Sequence, residues 1–250
     1  MGETTQIEWA ESTINFYWGC TKVSEGCKFC YMYRNSPRYN RDATKVTKLN
    51  FDNIEKNLNK WSPRRIFVNS NSDTFHDSLS YENICEMFHL MLKYPKHEYM
   101  ILTKRSGRMR SIFSQESLPN NFWLGVSVEN QNHVDRIDDL LECDCYNKFL
   151  SLEPLLGDVQ PDRDLRDIRL AIIGGESYLK NDDGRIMKEE WVDKIKEWCD
   201  FFEIPFFFKQ WGGNSKCNCH NAWGCRLYKG QTWDYIPKPK TDEQQKVGSE

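Results

Sequence analysis

Three cysteines lie within eleven residues near the start of the chain, at Cys20, Cys27 and Cys30, with the spacing C-x6-C-x2-C. Three thiolates can ligate three irons of a [4Fe–4S] cluster and leave the fourth iron open to a cofactor or substrate. Structural zinc sites use four ligands, often as two C-x2-C pairs, so a zinc loop here needs a ligand from elsewhere. The spacing therefore favours an iron–sulfur cluster, with zinc as the alternative.

A second group of cysteines lies farther along the chain, and ten cysteines in all is a high number for a chain of 250 residues. In a reducing compartment clustered cysteines more often bind metal than form disulfides. The candidates for an auxiliary iron–sulfur cluster or a structural zinc site are Cys143, Cys145, Cys217, Cys219 and Cys225. Free thiols are the alternative, because C-x-C is a weak ligand signal.

The elements that must position these residues alternate between short β-rich runs and helical patterns. Apolar positions predict helices over 81–92 and 188–202. Strands are predicted over 15–18, 65–69, 99–103, 122–128, 148–152, 170–173 and 205–209. This order predicts βα units and a parallel sheet, hence an α/β fold. Six or seven units are too few to close an eight-stranded barrel, so we expect an open or partial barrel, with a flat doubly wound sheet as the alternative.

Polar residues follow most of the predicted strands. Ligands of parallel α/β proteins bind at the carboxyl ends of the strands, so these residues are expected to surround one mouth. The alternative is that they cap the helices that follow. The candidates for cofactor binding are Asn71, Ser72, Asp73, Ser127, Glu129, Glu153, Gly174, Gly175 and Glu176.

Composition narrows the class of protein. The mean hydropathy of −0.74, and the absence of a run near the roughly 20 apolar residues that a spanning helix needs, predict no membrane partner. The amino terminus has no basic region followed by an apolar stretch, which predicts a cytoplasmic protein. The formal charge of −3 excludes a globally basic nucleic-acid binder but not a local basic groove.

The segment from Cys27 to Tyr31 (Cys-Lys-Phe-Cys-Tyr) resembles the second half of the radical S-adenosylmethionine (SAM) signature. The usual spacing of that signature is C-x3-C-x2-C. The longer first gap in this chain resembles instead the spacing in a phage- and prokaryote-borne three-cysteine family. That family in turn resembles spore photoproduct lyase. Further blocks resemble that family in order from residue 7 to about 212: 7–9, 69–76, 102–105, 123–130, 151–155, 174–177 and 207–212.

The resemblance implies a partial (β/α)6-type barrel over residues 1–212. The cysteine-rich extension (213–237) departs from the family's pattern, and the polar composition of the last residues predicts a disordered tail (238–250). The resemblance also implies a [4Fe–4S] cluster on Cys20, Cys27 and Cys30. SAM would bind the open iron, and an external flavodoxin- or ferredoxin-like protein would donate the electron. Reductive cleavage of SAM would give a 5′-deoxyadenosyl radical that takes hydrogen from a substrate.

The substrate is the least determined part of this prediction. Resemblance to spore photoproduct lyase suggests a nucleic-acid base or nucleotide, and basic runs at 64–65 and 104–110 are candidates to neutralise phosphates. Solvated helix faces are the alternative for these runs, and a small metabolite or a peptide is the alternative substrate. The rival classes are a non-catalytic zinc-binding, nucleic-acid-interacting protein and an iron–sulfur electron carrier.

Overall fold

A computed structural model describes residues 2–178, 183–213 and 226–239. The described strands are β1 Ser12–Ile14, β2 Tyr17–Trp18, β3 Thr47–Lys48, β4 Arg65–Val68, β5 Glu98–Thr103, β6 Phe122–Ser127, β7 Asn147–Leu152, β8 Ile168–Gly174, β9 Phe206–Gln210, β10 Leu227–Tyr228 and β11 Gln231–Thr232. The described helices are α1 Tyr31–Asn35, α2 Phe51–Lys60, α3 Tyr81–Leu92, α4 Ser106–Phe113, α5 Arg136–Leu141 and α6 Glu189–Phe201, with short 3-10 turns at Glu25–Cys27, Ser36–Tyr39 and Gln131–His133.

Seven of the strands form one sheet in the order β1-β4-β5-β6-β7-β8-β9. Every neighbouring pair is parallel. The sheet curls into a half-barrel, and its strands follow one another in chain order. The predicted parallel α/β fold with an open barrel is confirmed. The flat doubly wound alternative is wrong, because such a sheet reverses its strand order.

The two faces of the sheet carry separate apolar clusters. The outward side chains, such as Ile66, Ile101 and Leu124, pack with the helices into the larger cluster. The inward side chains form a smaller, largely aromatic cluster of Trp9, Phe67, Met100, Trp123, Phe149, Leu170, Ile172 and Phe207. This inner layer fills the half-barrel below the carboxyl ends of the strands.

The two predicted helices are confirmed. Helix α3 occupies Tyr81–Leu92, as its apolar stripe predicted, and begins with a reciprocal capping box between Ser80 and Asn83. Helix α6 occupies Glu189–Phe201, within one residue of the prediction at each end. In both helices the periodic apolar side chains face the core, which stabilises them more than intrinsic propensity does.

One expectation about the βα units is wrong. The first predicted strand, 15–18, is displaced: the sheet uses Ser12–Ile14, and the chain then leaves the sheet so that Tyr17–Trp18 pairs with Thr47–Lys48. The backbone turns away because the Asn69 side-chain carbonyl accepts hydrogen bonds from the N–H groups of Phe16 and Tyr17. Farther along the sheet, β7 and β8 are joined through 153–167 without a helix.

The described part of the predicted extension packs against the half-barrel. The β10–β11 hairpin is antiparallel, and Tyr228 is buried between Phe206 and Phe208 of β9. Among the described strands β9 pairs with β8 alone, and on its other side the N–H of Phe208 donates to the carbonyl of Trp233 at 2.8 Å. Residues 214–225 and the predicted disordered tail from 240 onward lie outside the described residues. None of the described helices combines the length and apolar character needed to cross a lipid bilayer.

Candidate metal and cofactor site

The carboxyl ends of the parallel strands meet at one edge of the half-barrel, and a cavity of about 140 Å3 opens there. Its walls include all three cysteines of the C-x6-C-x2-C segment, Cys20, Cys27 and Cys30. Four of the predicted cofactor-binding residues line the same cavity, namely Asn71, Ser72, Asp73 and Ser127. Residues separated by up to about a hundred positions in sequence are thus brought together around one space. Phe67, Leu102 and Met32 supply apolar walls.

The cysteine segment is held over the strand ends by backbone hydrogen bonds. Gly19 has φ +98°, and its N–H donates to the carbonyl of Asn71 at 3.0 Å. A Cβ at this glycine would lie 2.1 Å from the carbonyl oxygen of Lys45, so the close approach needs glycine as well as its conformational freedom. The N–H of Cys20 donates to Ala43 at 2.9 Å. These contacts fix Cys20 against two loops, the one that follows β4 and the one at 40–45.

Asn69, which the sequence analysis did not select, organises the first two strand ends. It has φ +56°, a left-handed conformation that asparagine tolerates better than most residues. Its side chain is buried, accepts from Phe16 N–H at 2.8 Å, and donates to Thr74 Oγ1 at 3.0 Å. Asn69 therefore joins β4 to the chain that leads into the cysteine segment.

Arg105 is the second residue that the sequence analysis did not select for this site. Its guanidinium is almost fully buried and bridges the strand ends to the cysteine segment. Nη1 lies 3.7 Å from Cys20 Sγ and 3.2 Å from Asp73 Oδ2, and Nη2 donates to Thr21 Oγ1 at 2.8 Å. A fixed fork of five donors suits this many acceptors.

Asp73 lies in the cavity wall, as predicted, but its oxygens already have partners. It accepts from Thr103 Oγ1 at 2.7 Å, from the N–H of Phe75 at 2.9 Å, and from Arg105. By contrast, the side chains of Asn71 and Ser127 make no hydrogen bond to the described residues. These two are therefore the predicted residues best able to contact a ligand in the cavity.

The surroundings of Cys20 favour the protonated form of its thiol. Burial and the nearby Asp73 carboxylate raise the pKa of the Cys20 thiol to about 11, while the guanidinium of Arg105 opposes that rise. A thiolate at this position thus needs further positive charge, which a metal supplies when it displaces the thiol proton.

Glu129 is fully buried behind the cavity and joins three elements. Its carboxylate accepts hydrogen bonds from Ser24 Oγ at 2.6 Å, from Arg136 Nη1 at 2.8 Å and from the ammonium of Lys104. Burial disfavours its ionised form, but the charges of Lys104 and Arg136 outweigh burial and hold the pKa of Glu129 below its usual value. It anchors the turn that carries Cys27. This role differs from the predicted cofactor contact, because Glu129 is paired on all sides and is not among the cavity walls.

The remaining predicted cofactor residues follow β7 and β8 on the same edge but do not line this cavity. Glu153 pairs with Lys209, and Glu176 pairs with Arg185. Gly174 lies against Glu153, and a Cβ at Gly175 would overlap the carbonyl of Trp211. Gly175 is thus required for close backbone packing. The Glu176 carboxylate of this Gly-Gly-Glu segment therefore already has a partner within the protein.

The candidate second cysteine site divides between two regions. Cys143 and Cys145 are buried near the amino-terminal ends of β6 and β7, where Cys145 Sγ contacts the carbonyls of Phe122 and Asn147. They are therefore at the opposite end of the strands from Cys20. Cys217, Cys219 and Cys225 lie outside the described residues. Within 2–178, 183–213 and 226–239, no group of three or more His, Cys, Asp or Glu side chains has the arrangement that holds a single metal ion.

The basic runs suggested by the sequence as phosphate contacts are committed to the protein itself. Arg65 pairs with Glu98 at the far end of the strands. Arg108 donates to the backbone carbonyls of His76 and Leu79, and Arg110 pairs with Asp139 at 3.1 Å. Lys104 and Arg105 are also paired, so the cations of the run 104–110 already have partners within the protein.

A larger groove of about 650 Å3 lies between α2 and α3, on the outside of the half-barrel. Its walls carry four carboxylates, from Asp52, Glu55, Glu82 and Glu86. It is remote from the strand ends where ligands of parallel α/β proteins bind. The smaller cavity, which gathers the three cysteines, is therefore the better candidate site.

Comparison with known proteins places the chain in a family without assigning an activity. No curated protein and no solved structure matches the chain. A family model described as a protein of unknown function, DUF5131, matches residues 4–237 and so spans the half-barrel, the three-cysteine cavity and the β10–β11 hairpin. The chain belongs to the DUF5131 family.

Proposed function

We propose that this chain is a radical SAM enzyme that binds a [4Fe–4S] cluster through Cys20, Cys27 and Cys30. The observation that carries the proposal is the convergence of these three thiols on one cavity at the carboxyl edge of a curled parallel sheet. Three thiolates leave one iron of such a cluster without a protein ligand. Held by these three cysteines, such a cluster would supply one-electron reduction of SAM, in which the sulfonium C–S bond would break to give methionine and a 5′-deoxyadenosyl radical.

The donor set fits such a cluster. The cysteines face a common space, and within the described residues no fourth cysteine lines it. The buried guanidinium of Arg105 donates to Cys20 Sγ, which stabilises negative charge on the sulfur. A zinc site would need a fourth ligand beside these three cysteines.

The cavity is smaller than the roughly 300–1,000 Å3 of typical small-molecule pockets. A cofactor of the size of SAM would therefore extend out of it along the strand ends. Asn71 and Ser127 have free polar side chains at its wall, suited to the polar groups of the methionine and ribose portions. Farther along the same edge, Glu153 and Lys209 present a partly exposed ion pair.

Radical chemistry also requires that water be kept away from the reacting groups. The half-barrel excludes water on the side beneath the cavity. The aromatic inner layer closes the half-barrel beneath the cavity, and Trp123, Phe149 and Phe207 in it are nearly inaccessible to solvent. A reactive alkyl radical formed above this layer would be shielded from water on that side.

The test is anaerobic reconstitution with iron and sulfide, then reduction by dithionite in the presence of SAM and assay for 5′-deoxyadenosine. We expect brown protein that absorbs near about 400 nm and forms 5′-deoxyadenosine. Cys27→Ser should abolish both signals, whereas the matched variant Cys85→Ser, whose thiol lies on α3 away from the cavity, should retain them. Colourless protein with one bound zinc and no 5′-deoxyadenosine would refute the proposal.

A further inference from the structure

The segment that carries the three cysteines is strongly basic in an acidic chain. Residues 20–48 contain seven Lys and Arg residues but only two Asp and Glu, a net charge of +5, whereas the whole chain has −3. One of the seven cations, Lys48, pairs with Glu86. Among the described residues the other six form no salt bridge: Lys22, Lys28, Arg34, Arg38, Arg41 and Lys45. Five of these six are exposed, and Arg34 is half-buried.

This contrasts with the cations at the strand ends. Lys104, Arg105 and Arg136 each pair with a buried carboxylate. The unpaired positive charge is thus concentrated on one segment, and charges of one sign there repel each other at a cost to stability. An anionic partner would remove that cost.

Aromatic rings stand among these cations. Tyr39 is 60% exposed and Tyr31 is 41% exposed. Lys22 lies over the ring of Tyr33, with Nζ 5.0 Å from its centroid. Basic side chains interleaved with accessible aromatic rings are typical of surfaces that track a single-stranded backbone and stack its bases. A membrane-binding surface would instead present Leu, Phe or Trp for insertion, and none of these is among the exposed large apolar residues of this segment.

The basic surface is continuous with the mouth of the cavity. Tyr31 donates through its hydroxyl to the carbonyl of Ser70, and Tyr33 donates to the carbonyl of Cys20 at 2.5 Å. Both Cys20 and Ser70 line the cavity. A cavity of about 140 Å3 cannot admit a polymer, so a chain of nucleotides would lie across the surface and direct only one base inward, as base-extruding enzymes require.

We propose that residues 20–48 form a binding surface for single-stranded nucleic acid and present one base of it to the three-cysteine cavity. The surface is argued from charge and exposure alone, while the fate of the presented base rests on the function proposed above. The substrate class of the enzyme is then a nucleic acid rather than a free metabolite.

The test is fluorescence anisotropy of the reconstituted protein with a short fluorescein-labelled oligothymidine over a range of salt concentrations. The variant is Arg38→Gln/Lys45→Gln. Its matched control is Lys56→Gln/Lys60→Gln, which removes two exposed, unpaired cations from α2. Each phosphate contact to a single strand contributes about 0.7 to the slope of log K against log salt. Loss of two contacts therefore lowers affinity roughly 25-fold at about 0.1 M salt.

Binding that weakens with salt, and that only the Arg38/Lys45 variant loses, is the expected result. Equal losses in both variants, no binding at all, or tighter binding to anionic phospholipid vesicles than to the oligonucleotide would each overturn the inference. Formation of 5′-deoxyadenosine without nucleic acid is measured in parallel. If the protein cleaves SAM but does not bind the oligonucleotide, only the proposed binding surface is refuted. If it binds the oligonucleotide but forms no cluster, only the proposed enzyme activity is refuted.

Discussion

Arg105 and Cys20 are 85 residues apart in sequence, and the Nη1 of the arginine lies 3.7 Å from the sulfur of the cysteine. The same guanidinium holds Asp73 and Thr21, so one buried cation connects the end of β5, the β4 loop and the cysteine segment. A positive donor directed at a ligating sulfur stabilises the more negative, reduced form of an iron–sulfur cluster. Arg105 is therefore a positioning residue that also acts on the electrostatics of the site.

Replacement of Arg105 by lysine should lower the reduction potential of the reconstituted cluster. Lysine keeps the charge but loses the planar fork that reaches Cys20, Asp73 and Thr21 together. If about 1 kcal/mol of the charge-assisted bond is specific to the reduced state, the potential falls by roughly 40 mV for a one-electron couple. A redox titration monitored by electron paramagnetic resonance measures this reduction potential. Arg110→Lys, at a partly exposed position of α4, should leave the potential unchanged.

Replacement of Glu129 by glutamine should destabilise the fold. The change leaves Lys104 and Arg136 without their buried counter-charge, and removal of one member of a buried pair typically costs about 3–5 kcal/mol. Urea denaturation measures the free energy of unfolding. The matched variant Glu190→Gln breaks an exposed pair with Lys188 and should change that energy by less than about 0.5 kcal/mol. Similar small effects at both positions would contradict an anchoring role for Glu129.

Two glycine-to-alanine changes should act in opposite directions. A Cβ at Gly26 would lie 2.5 Å from Glu129 Oε1, so the alanine must displace the buried carboxylate beside Cys27. We expect a loss of about 1–3 kcal/mol and a lower iron content after reconstitution. A Cβ at Gly107 would have its nearest contact at 3.7 Å, and this glycine lies within α4. Gly107→Ala should therefore stabilise the protein, by up to about 1 kcal/mol. Equal iron content in the two variants would show that the turn tolerates a side chain.

Stability should fall as the pH drops below about 6.5, partly because of His97. Its imidazole is fully buried, with Nε2 2.8 Å from the carbonyl of Leu58 and Nδ1 without a partner. Burial lowers the pKa of His97, so below the unfolded value the unfolded chain binds the proton more readily than the native protein. The stability contributed by the neutral imidazole is present above that value and is lost as the pH falls.

Urea midpoints between pH 7.5 and pH 5.5, each about one unit from the ordinary pKa of histidine, measure this dependence. His97→Gln should flatten this pH dependence. His76 is also buried and its pKa is also lowered, so a slope of the same sign should remain. His89→Gln, at an exposed position of α3, is the matched control and should keep the slope of the unmodified protein. A His97 variant with an unchanged slope would show that another group is responsible.

The elements that the sequence predicted well are those whose signal is local. Helix α3 has its whole apolar stripe and its cap within the residues 80–92, so its limits follow from periodicity and a polar residue at the start. The later strands are runs buried on both faces, as in β6 and β7. Parallel pairing then places their polar successors at one edge, which is why Asn71, Ser72, Asp73 and Ser127 were predicted at a common mouth.

The features that sequence analysis missed depend on partners far along the chain. The start of the sheet was misplaced because a side chain 53 residues away, Asn69, redirects the backbone at Phe16. The run 104–110 resembled a phosphate-binding surface because nothing local shows that Arg105 and Arg110 have carboxylate partners 32 and 29 residues away. The buried position of Glu129 likewise follows from Lys104 and Ser24, which no spacing rule connects to it.

The single hydrogen bond from Phe208 to Trp233 has a consequence for how the protein should be produced. Strand β9 contains three consecutive phenylalanines, and in the part of the chain that the structure describes it has a neighbouring strand on one side only. An uncovered edge of this kind offers backbone groups to other chains and promotes aggregation. The segment that reaches Trp233 shields that edge, and Trp233 also packs on Phe206. A truncation before residue 226 would thus be expected to yield insoluble protein even with the three-cysteine half-barrel intact.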